Sequence, residues 1–275
     1  MRLAPQSTKP RMPAPLTGLG VLVTRPAAQA EPLCLALMAQ GAKVWRLPAL
    51  EIVPLGHAAG HRAAVGPLDH YHWVIFVSSN AVTYGATLLE GTEPRRTPRV
   101  LAIGPATAQA LAQSGHPVAA APGGSYDSET LLSADTLQQV RGQRVLIVRG
   151  TGGREHLAQS LQARGAEVFY ADVYRRDLPP TTPLLVEQVA AAEQALDSGQ
   201  LQVVTATSSE LLDNTLRLFT DQTRLSQVHW LAGSRRIGQR VRELGLRGDV
   251  IVAEQPDDHG LLAALTFWQR HRVAD

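Results

Sequence analysis

Short apolar runs alternate along this chain with longer stretches in which apolar residues recur at helical spacing. Runs rich in Val, Ile and Leu fall near 20–24, 43–47, 73–77, 100–103, 145–148, 167–171, 203–207, 229–232 and 249–252, and each is read as a strand. The runs are apolar throughout and do not alternate, the pattern of strands covered by helices on both faces. Strand, helix, strand repeated in this way predicts right-handed crossovers and parallel sheets, an α/β fold. Gly41, Gly115, Gly165 and Gly245 stand where helical patterns stop, positions at which φ > 0 costs glycine nothing.

The pattern also repeats. The apolar run ending at Arg25 recurs in the run ending at Arg149; Arg25 and Arg149, Gly41 and Gly165, and Val44 and Val168 are each 124 positions apart, without a gap. Val74 to Ser79 recurs as Val203 to Ser209, and Val100 to Gly104 as His229 to Gly233, at offsets of 129 or 130. Two copies of one α/β unit account for 275 residues better than one large domain. Two extended, Pro-bounded stretches, 47–54 and 171–180, follow equivalent strands and fit neither copy, so they are read as connectors.

In open parallel sheets, ligands bind beyond the carboxyl ends of strands, where helix N-termini present bare N–H groups. The residues there are Thr24-Arg25, Ser78-Ser79-Asn80, Gly104 to Thr107, Arg149 to Gly153, Ser208-Ser209 and Gly233-Ser234-Arg235-Arg236. Hydroxyls, backbone donors and guanidinium groups gathered in this way suit carboxylates or phosphates. Taken singly, a Ser, Thr or Asn after a strand is an N-cap. The set gains meaning because both copies present it. The loop after Arg149 lacks the Gly-Lys-Ser/Thr ending of a nucleotide-hydrolysing loop, and Gly150, Gly152 and Gly153 have the wrong spacing for a dinucleotide fingerprint.

Composition narrows the field. A net charge of +2 does not point to nucleic acid, although a few Arg residues in a cleft can attract an anionic small molecule. The single cysteine, Cys34, excludes an internal disulfide and a thiolate metal cluster, and it reads as a small buried hydrophobe. His57 and His61 stand four apart but lack a third ligand, and Gly56, Ala58, Ala59 and Gly60 around them suggest a loop, not a metal site. Asp257-Asp258-His259 reads as the start of a helix through Leu261 to Leu265. No run approaches 18 apolar residues, so no membrane span is expected. Residues 1–17, with Pro5, Pro10, Pro13 and Pro15 and no apolar segment, read as a disordered leader, and the protein is expected in the cytoplasm.

The run Val77-Ser78-Ser79-Asn80-Ala81-Val82 followed by Ala102 to Ala108, then Val148-Arg149-Gly150, Gly165 to Val168, Val173-Tyr174-Arg175 and Gly233 onward, resembles the uroporphyrinogen-III synthases. The resemblance implies two flavodoxin-like domains of doubly wound parallel sheet joined by a two-stranded β-ladder. Domain 1 would be 18–46 with 181–275, domain 2 would be 55–170, and 47–54 with 171–180 would form the linker. It further implies a linear tetrapyrrole substrate, hydroxymethylbilane, held between the domains and closed to uroporphyrinogen III with loss of water and inversion of ring D. No cofactor and no metal is implied. A monomer is expected, with association with hydroxymethylbilane synthase as a further expectation.

Tyr174 matches the family's candidate acid, and its neighbours Arg175 and Arg176 are cations of the kind that ease ionisation of a phenol. Arg25, Ser78, Ser79, Asn80, Thr107, Arg149, Gly150, Ser208, Ser209, Ser234 and Arg235 are the expected substrate contacts. Arg235-Arg236 and Asn80 depart from the residue types common in the family, and Arg25 and Arg149 could instead serve as salt-bridged scaffold. A non-catalytic two-lobed binder of an anionic small molecule would share all of this without needing Tyr174. A glycosyltransferase would need a ribose-binding carboxylate that the sequence does not offer.

Overall fold

The computed structural model describes residues 14–90, 97–116, 131–132, 137–153 and 155–272. It divides into two compact units, Met1–Glu51 with Leu178–Asp275, and Ile52–Asp177. The chain begins the first unit with β1 (Gly20–Val23), α1 (Ala27–Ala39) and β2 (Lys43–Arg46). The second unit follows, with β3 (Glu51–Pro54), α2 (Ala58–Val65), β4 (Trp73–Phe76), α3 (Ser79–Gly85), β5 (Arg99–Ala102), α4 (Pro105–Gln113), β6 (Arg144–Gly150), α5 (His156–Ala163) and β7 (Glu167–Asp177). The chain then completes the first unit with α6 (Pro183–Asp197), β8 (Val203–Ala206), α7 (Ser209–Leu218), β9 (His229–Ala232), α8 (Arg235–Glu243), β10 (Val250–Val252) and α9 (Asp258–Arg272).

Each unit is built on a five-stranded sheet, in the order β10-β9-β8-β1-β2 in the first and β3-β7-β6-β4-β5 in the second. The pairs β1–β2, β1–β8, β8–β9 and β9–β10 are parallel, as are β4–β5, β4–β6 and β6–β7. The central strands β1, β4 and β8 are buried at every residue. Their alternate side chains serve two cores, one on each sheet face: Val74 and Phe76 of β4 enter one cluster, Trp73 and Ile75 the other. Helices on both faces are the reason these strands read as unbroken apolar runs.

The sequence repeat is a repeat of structure. By the residue offsets, β1, β2, β8 and β9 correspond to β6, β7, β4 and β5, and the sheets set them in the same order, β9-β8-β1-β2 and β5-β4-β6-β7. The second unit is thus a circular permutation of the first. The fifth strands do not correspond, since β10 lies beside β9 whereas β3 lies beside β7. Helix endings are copied too: Ala42 N–H donates to Leu37 O at 3.1 Å and Ala166 N–H to Leu161 O at 3.0 Å, around Gly41 at φ +89° and Gly165 at φ +86°.

Two expectations are corrected. The supposed leader is too long: Leu16 is fully buried and its N–H donates to Gln40 O at 2.8 Å, because an apolar side chain at that point can cover the end of α1. Residues 1–13 lie outside the described residues. The stretch around His57 and His61 is helical, not a loop, because the His57 ring accepts from Gly60 N–H at 3.1 Å and caps α2. His61 is held by the Leu55 carbonyl. Most of the second expected connector is strand, since β7 runs unbroken from Glu167 to Asp177, and β3 lies beside it. Asp257 behaves as expected, accepting from Gly260 N–H at 2.7 Å as α9 begins. Cys34 is buried, and burial pushes its thiol pKa up. No helix among the described residues is long and apolar enough to cross a membrane, and no trio of His, Cys, Asp or Glu among them could hold a metal ion.

Two features of the first unit give stability predictions. Beyond the register of β1 on β8, Thr24 N–H donates to Thr205 Oγ1 at 3.2 Å and Thr24 Oγ1 donates to Thr205 O at 2.7 Å, all buried. Thr205→Val is expected to cost about 1–3 kcal/mol in a urea melt, since the Thr24 N–H loses its acceptor out of reach of water. The His229 ring, which accepts from Asp249 N–H at 3.0 Å and lies against Trp268, has its pKa lowered by burial and by Arg272, with Asp249 opposing. An imidazole depressed in the folded state binds its proton preferentially in the unfolded chain. Thermal stability is therefore expected to fall as pH drops below about 6.5, the unfolded value, and His229→Asn is expected to flatten part of that fall.

Candidate active site

In the second unit the sequence-predicted residues gather at the carboxyl ends of adjacent strands. Past β4, Ser78 caps α3, its Oγ accepting from Ala81 N–H at 3.0 Å, and Ser79 and Asn80 form the first turn, half-buried. Past β5, Gly104 at φ +80° leads into α4, whose Thr107 is buried in the first turn. Arg149, at the end of β6, is not left open for a ligand. Its Nε donates to Asp172 Oδ1 at 3.0 Å, its Nη1 to Glu155 Oε1 at 2.7 Å, and its guanidinium stacks 3.6 Å from the Tyr170 ring centroid. Tyr170 in turn donates to Glu155 at 2.5 Å, and burial together with that carboxylate pushes its pKa up to about 12. The same bond, with Arg149, holds the Glu155 carboxyl below its usual value.

Tyr174 stands at the same edge, on β7 opposite the last residue of β6. The ladder shifts register there, pairing Arg149 with Asp172 but Gly150 with Tyr174. The ring is 1% exposed and belongs to the core, while its hydroxyl reaches the cap of α3, 3.2 Å from Ser78 Oγ. Arg176 Nη2 donates to the same phenol oxygen at a long 3.4 Å. Gly150 makes room: a Cβ there would lie 2.6 Å from Tyr174 Cε2 and Cζ. Strand alternation sorts the two neighbouring cations, because residues two apart share a face. Arg176 therefore lies with Tyr174, whereas Arg175 bonds Asp177 at 2.5 Å. Tyr84, whose ring centroid is 6.0 Å from that of Tyr174, is a site residue that the sequence does not single out. Of the two cations expected beside the phenol, period-two alternation within a recognised strand could have picked out Arg176.

The first unit gathers the other predicted residues at the carboxyl edge of its own sheet. Arg25, past β1, is ion-paired to Asp258 and donates to Pro256 O at 3.0 Å, so it too is committed within the fold. Ser208 caps α7, accepting from Leu211 N–H at 3.0 Å, and Ser209 Oγ accepts from Arg236 Nη1 at 3.1 Å. Ser234 caps α8 with a longer bond, 3.4 Å from Ile237 N, and Arg235 is exposed at the first position of that helix. This rim has no phenol. The residue 124 positions before Tyr174 is the buried Leu50, and Pro26 stands 124 before Gly150.

Parallel sheets with capped helix starts and hydroxyl-rich carboxyl edges define a duplicated α/β protein of the ligand-binding or enzymatic class, with one copy carrying a phenol at its rim. The family model described as Uroporphyrinogen-III synthase HemD matches residues 32–263. Uroporphyrinogen-III synthase of Escherichia coli (strain K12) is 33% identical over 260 residues, covering 90% of this chain and 100% of that protein. The synthase of Synechococcus elongatus is 31% identical over 266 residues, covering 93% and 97%. The chain belongs to the uroporphyrinogen-III synthase family. In fold it is similar to a solved uroporphyrinogen III synthase of Thermus thermophilus, at TM-score 0.61 and 20% identity, covering 94% of this chain and 100% of that one. The corresponding structure from Helicobacter pylori 26695 gives TM-score 0.58 at 16% identity, covering 90% and 99%.

Proposed function

We propose that the chain closes hydroxymethylbilane to uroporphyrinogen III, with loss of water and inversion of ring D. The observation that carries the reading, beyond family membership, is a phenol hydroxyl at a strand-end rim beside a serine hydroxyl and a guanidinium. The substrate's terminal hydroxyl is a poor leaving group until protonated, and Tyr174 is the group we assign to protonate it. The carbon–oxygen bond then breaks, water leaves, and the pyrrole nitrogen feeds electrons to the cation left behind. The cationic carbon bonds to the substituted α-carbon of ring D to give a spiro intermediate; the bond from that α-carbon to its original bridging methylene then breaks and re-forms at the free α-carbon, which inverts the ring. The proton finally released by the pyrrole returns to the phenolate. Since the pyrrole itself stabilises the cation, the remaining task of the protein is to hold the chain in the geometry of the spiro path.

A substrate with many carboxylates needs more donors than one rim supplies, and this sequence supplies two rims. Ser79, Asn80, Thr107, Ser208, Ser209, Ser234 and Arg235 are assigned to substrate contact, the exposed Arg235 being suited to a carboxylate. Arg25 and Arg149 are assigned to the scaffold that shapes the rims, in view of their ion pairs. The strand order 2-1-3-4-5 within the first sheet is read as flavodoxin-like. The pairing of β3 with β7 is read as the two-stranded link, and the enzyme is read as a monomer. Turnover tests the assignment: the purified chain should convert hydroxymethylbilane to the type III isomer at a rate proportional to protein concentration. A non-catalytic binder would leave the spontaneous rate unchanged.

A further inference from the structure

Three residues, Ser78, Arg176 and Gly150, converge on the end of the Tyr174 side chain. Ser78 Oγ accepts the cap bond from Ala81 N–H, which occupies a lone pair of that hydroxyl but not its proton. Its other bond among the described residues is the 3.2 Å contact with the phenol oxygen. Arg176, which can only donate, faces the same oxygen and sets its guanidinium 5.8 Å from the ring centroid. Gly150 leaves the ring its space on the other side.

The first unit is an internal comparison. Ser208 caps α7 as Ser78 caps α3, with the same 3.0 Å bond to the backbone. Yet Leu50 and Pro26 stand 124 positions before Tyr174 and Gly150, and the first unit's segment ends at Glu51, before any counterpart of Arg176. The serine cap is common to both copies, whereas the phenol, the guanidinium and the glycine occur together only in the second. A cap alone does not call for the other three.

We propose that Ser78 and Arg176 are positioning residues: both donate to the Tyr174 oxygen, fix the torsion of its hydroxyl, and leave the phenol's own proton directed at the leaving hydroxyl of the substrate. The inference rests on the reading of Tyr174 as the acid. As the phenol O–H bond breaks, its proton passes to the substrate hydroxyl and water departs with the electrons of the carbon–oxygen bond. The two donors then face the charge that develops on the phenol oxygen. When the pyrrole sheds its proton at the end of the reaction, the phenolate takes it back.

The test is a double-mutant cycle on kcat and KM for type III formation. Ser78→Ala and Arg176→Gln are each expected to lower kcat about tenfold with little change in KM, and Ser78→Thr, which keeps the hydroxyl, to restore most of it. In a Tyr174→Phe background neither substitution should lower kcat further. Thr182→Ala removes the cap of α6, where Oγ1 accepts from Leu185 N–H at 3.1 Å, and is expected to lower Tm as Ser78→Ala does while leaving kcat intact. Arg176→Gln disturbs no cap and so carries the test even where Ser78→Ala is poorly folded. Losses that persist in the Tyr174→Phe background, or an absence of loss in both single variants, overturn the proposal. Full activity of Tyr174→Phe overturns it together with the acid assignment, and a wild-type chain that forms no type III isomer overturns the proposed function itself.

Discussion

Tyr174→Phe is expected to lower kcat for type III formation by about 10²-fold or more while leaving KM nearly unchanged. The ring is buried and fills the space that Gly150 leaves for it, and phenylalanine keeps that packing. What disappears is one hydroxyl, placed 3.2 Å from Ser78 Oγ and within reach of Arg176. Global stability should therefore change little, and the loss should fall on the step in which the substrate hydroxyl departs. Steady-state kinetics with separated isomers, run beside a thermal melt, decides it. A variant with wild-type kcat would remove the phenol from the chemistry.

The second large effect is expected at Gly150. An alanine Cβ there would stand 2.6 Å from two ring atoms of Tyr174, inside van der Waals contact, and a buried ring in a packed core has no free direction in which to retreat. Overpacking of this kind costs about 1–3 kcal/mol, and in this position it also displaces the hydroxyl from the rim. Gly150→Ala should therefore lower both the urea midpoint and kcat. In a Tyr174→Ala background, where the same space is vacated, Gly150→Ala should cost little further stability, while kcat stays low. Such non-additivity is expected only of groups in contact. Two independent, additive losses in the melt would show that the ring does not occupy the space facing Gly150.

Much of this architecture is legible in the sequence because the forces that write it act at short range. Apolar runs mark β1, β4 and β8, since strands buried on both faces need apolar residues at every position. Gly41 and Gly165 mark the ends of α1 and α5, since a left-handed residue closes each helix. The repeat of Arg25 at Arg149 marks a copied strand. The permutation is harder to read: four strands correspond, but the fifth is β10 in one unit and β3 in the other, and nothing in either strand's composition says which edge it joins.

The site is legible as a set of positions and much less as a set of roles. Ser78, Ser208 and Ser234 all follow strands and cap helices, as strand-end hydroxyls do. The fate of Arg25 depends on Asp258 at the far end of the chain, and that of Arg149 on Glu155 and Asp172, so sequence spacing could not tell scaffold from ligand contact. The register shift opposite Gly150, which brings Tyr174 level with it, leaves no compositional trace. Of the two cations expected beside Tyr174, the one that reaches it is Arg176, two positions later on the same strand, which period-two alternation would distinguish from Arg175. Placing 171–180 in a connector and not in β7 hid that alternation.

The central claim is that a duplicated α/β unit with one phenol-bearing rim directs ring closure toward the inverted isomer. Incubating hydroxymethylbilane with the purified full chain, oxidising the products to porphyrins and resolving the isomers by chromatography measures this directly. The account predicts a product dominated by type III, falling toward the spontaneous type I mixture in the Tyr174→Phe chain. A product of type I alone from the wild-type chain, at the rate seen without protein, would contradict it.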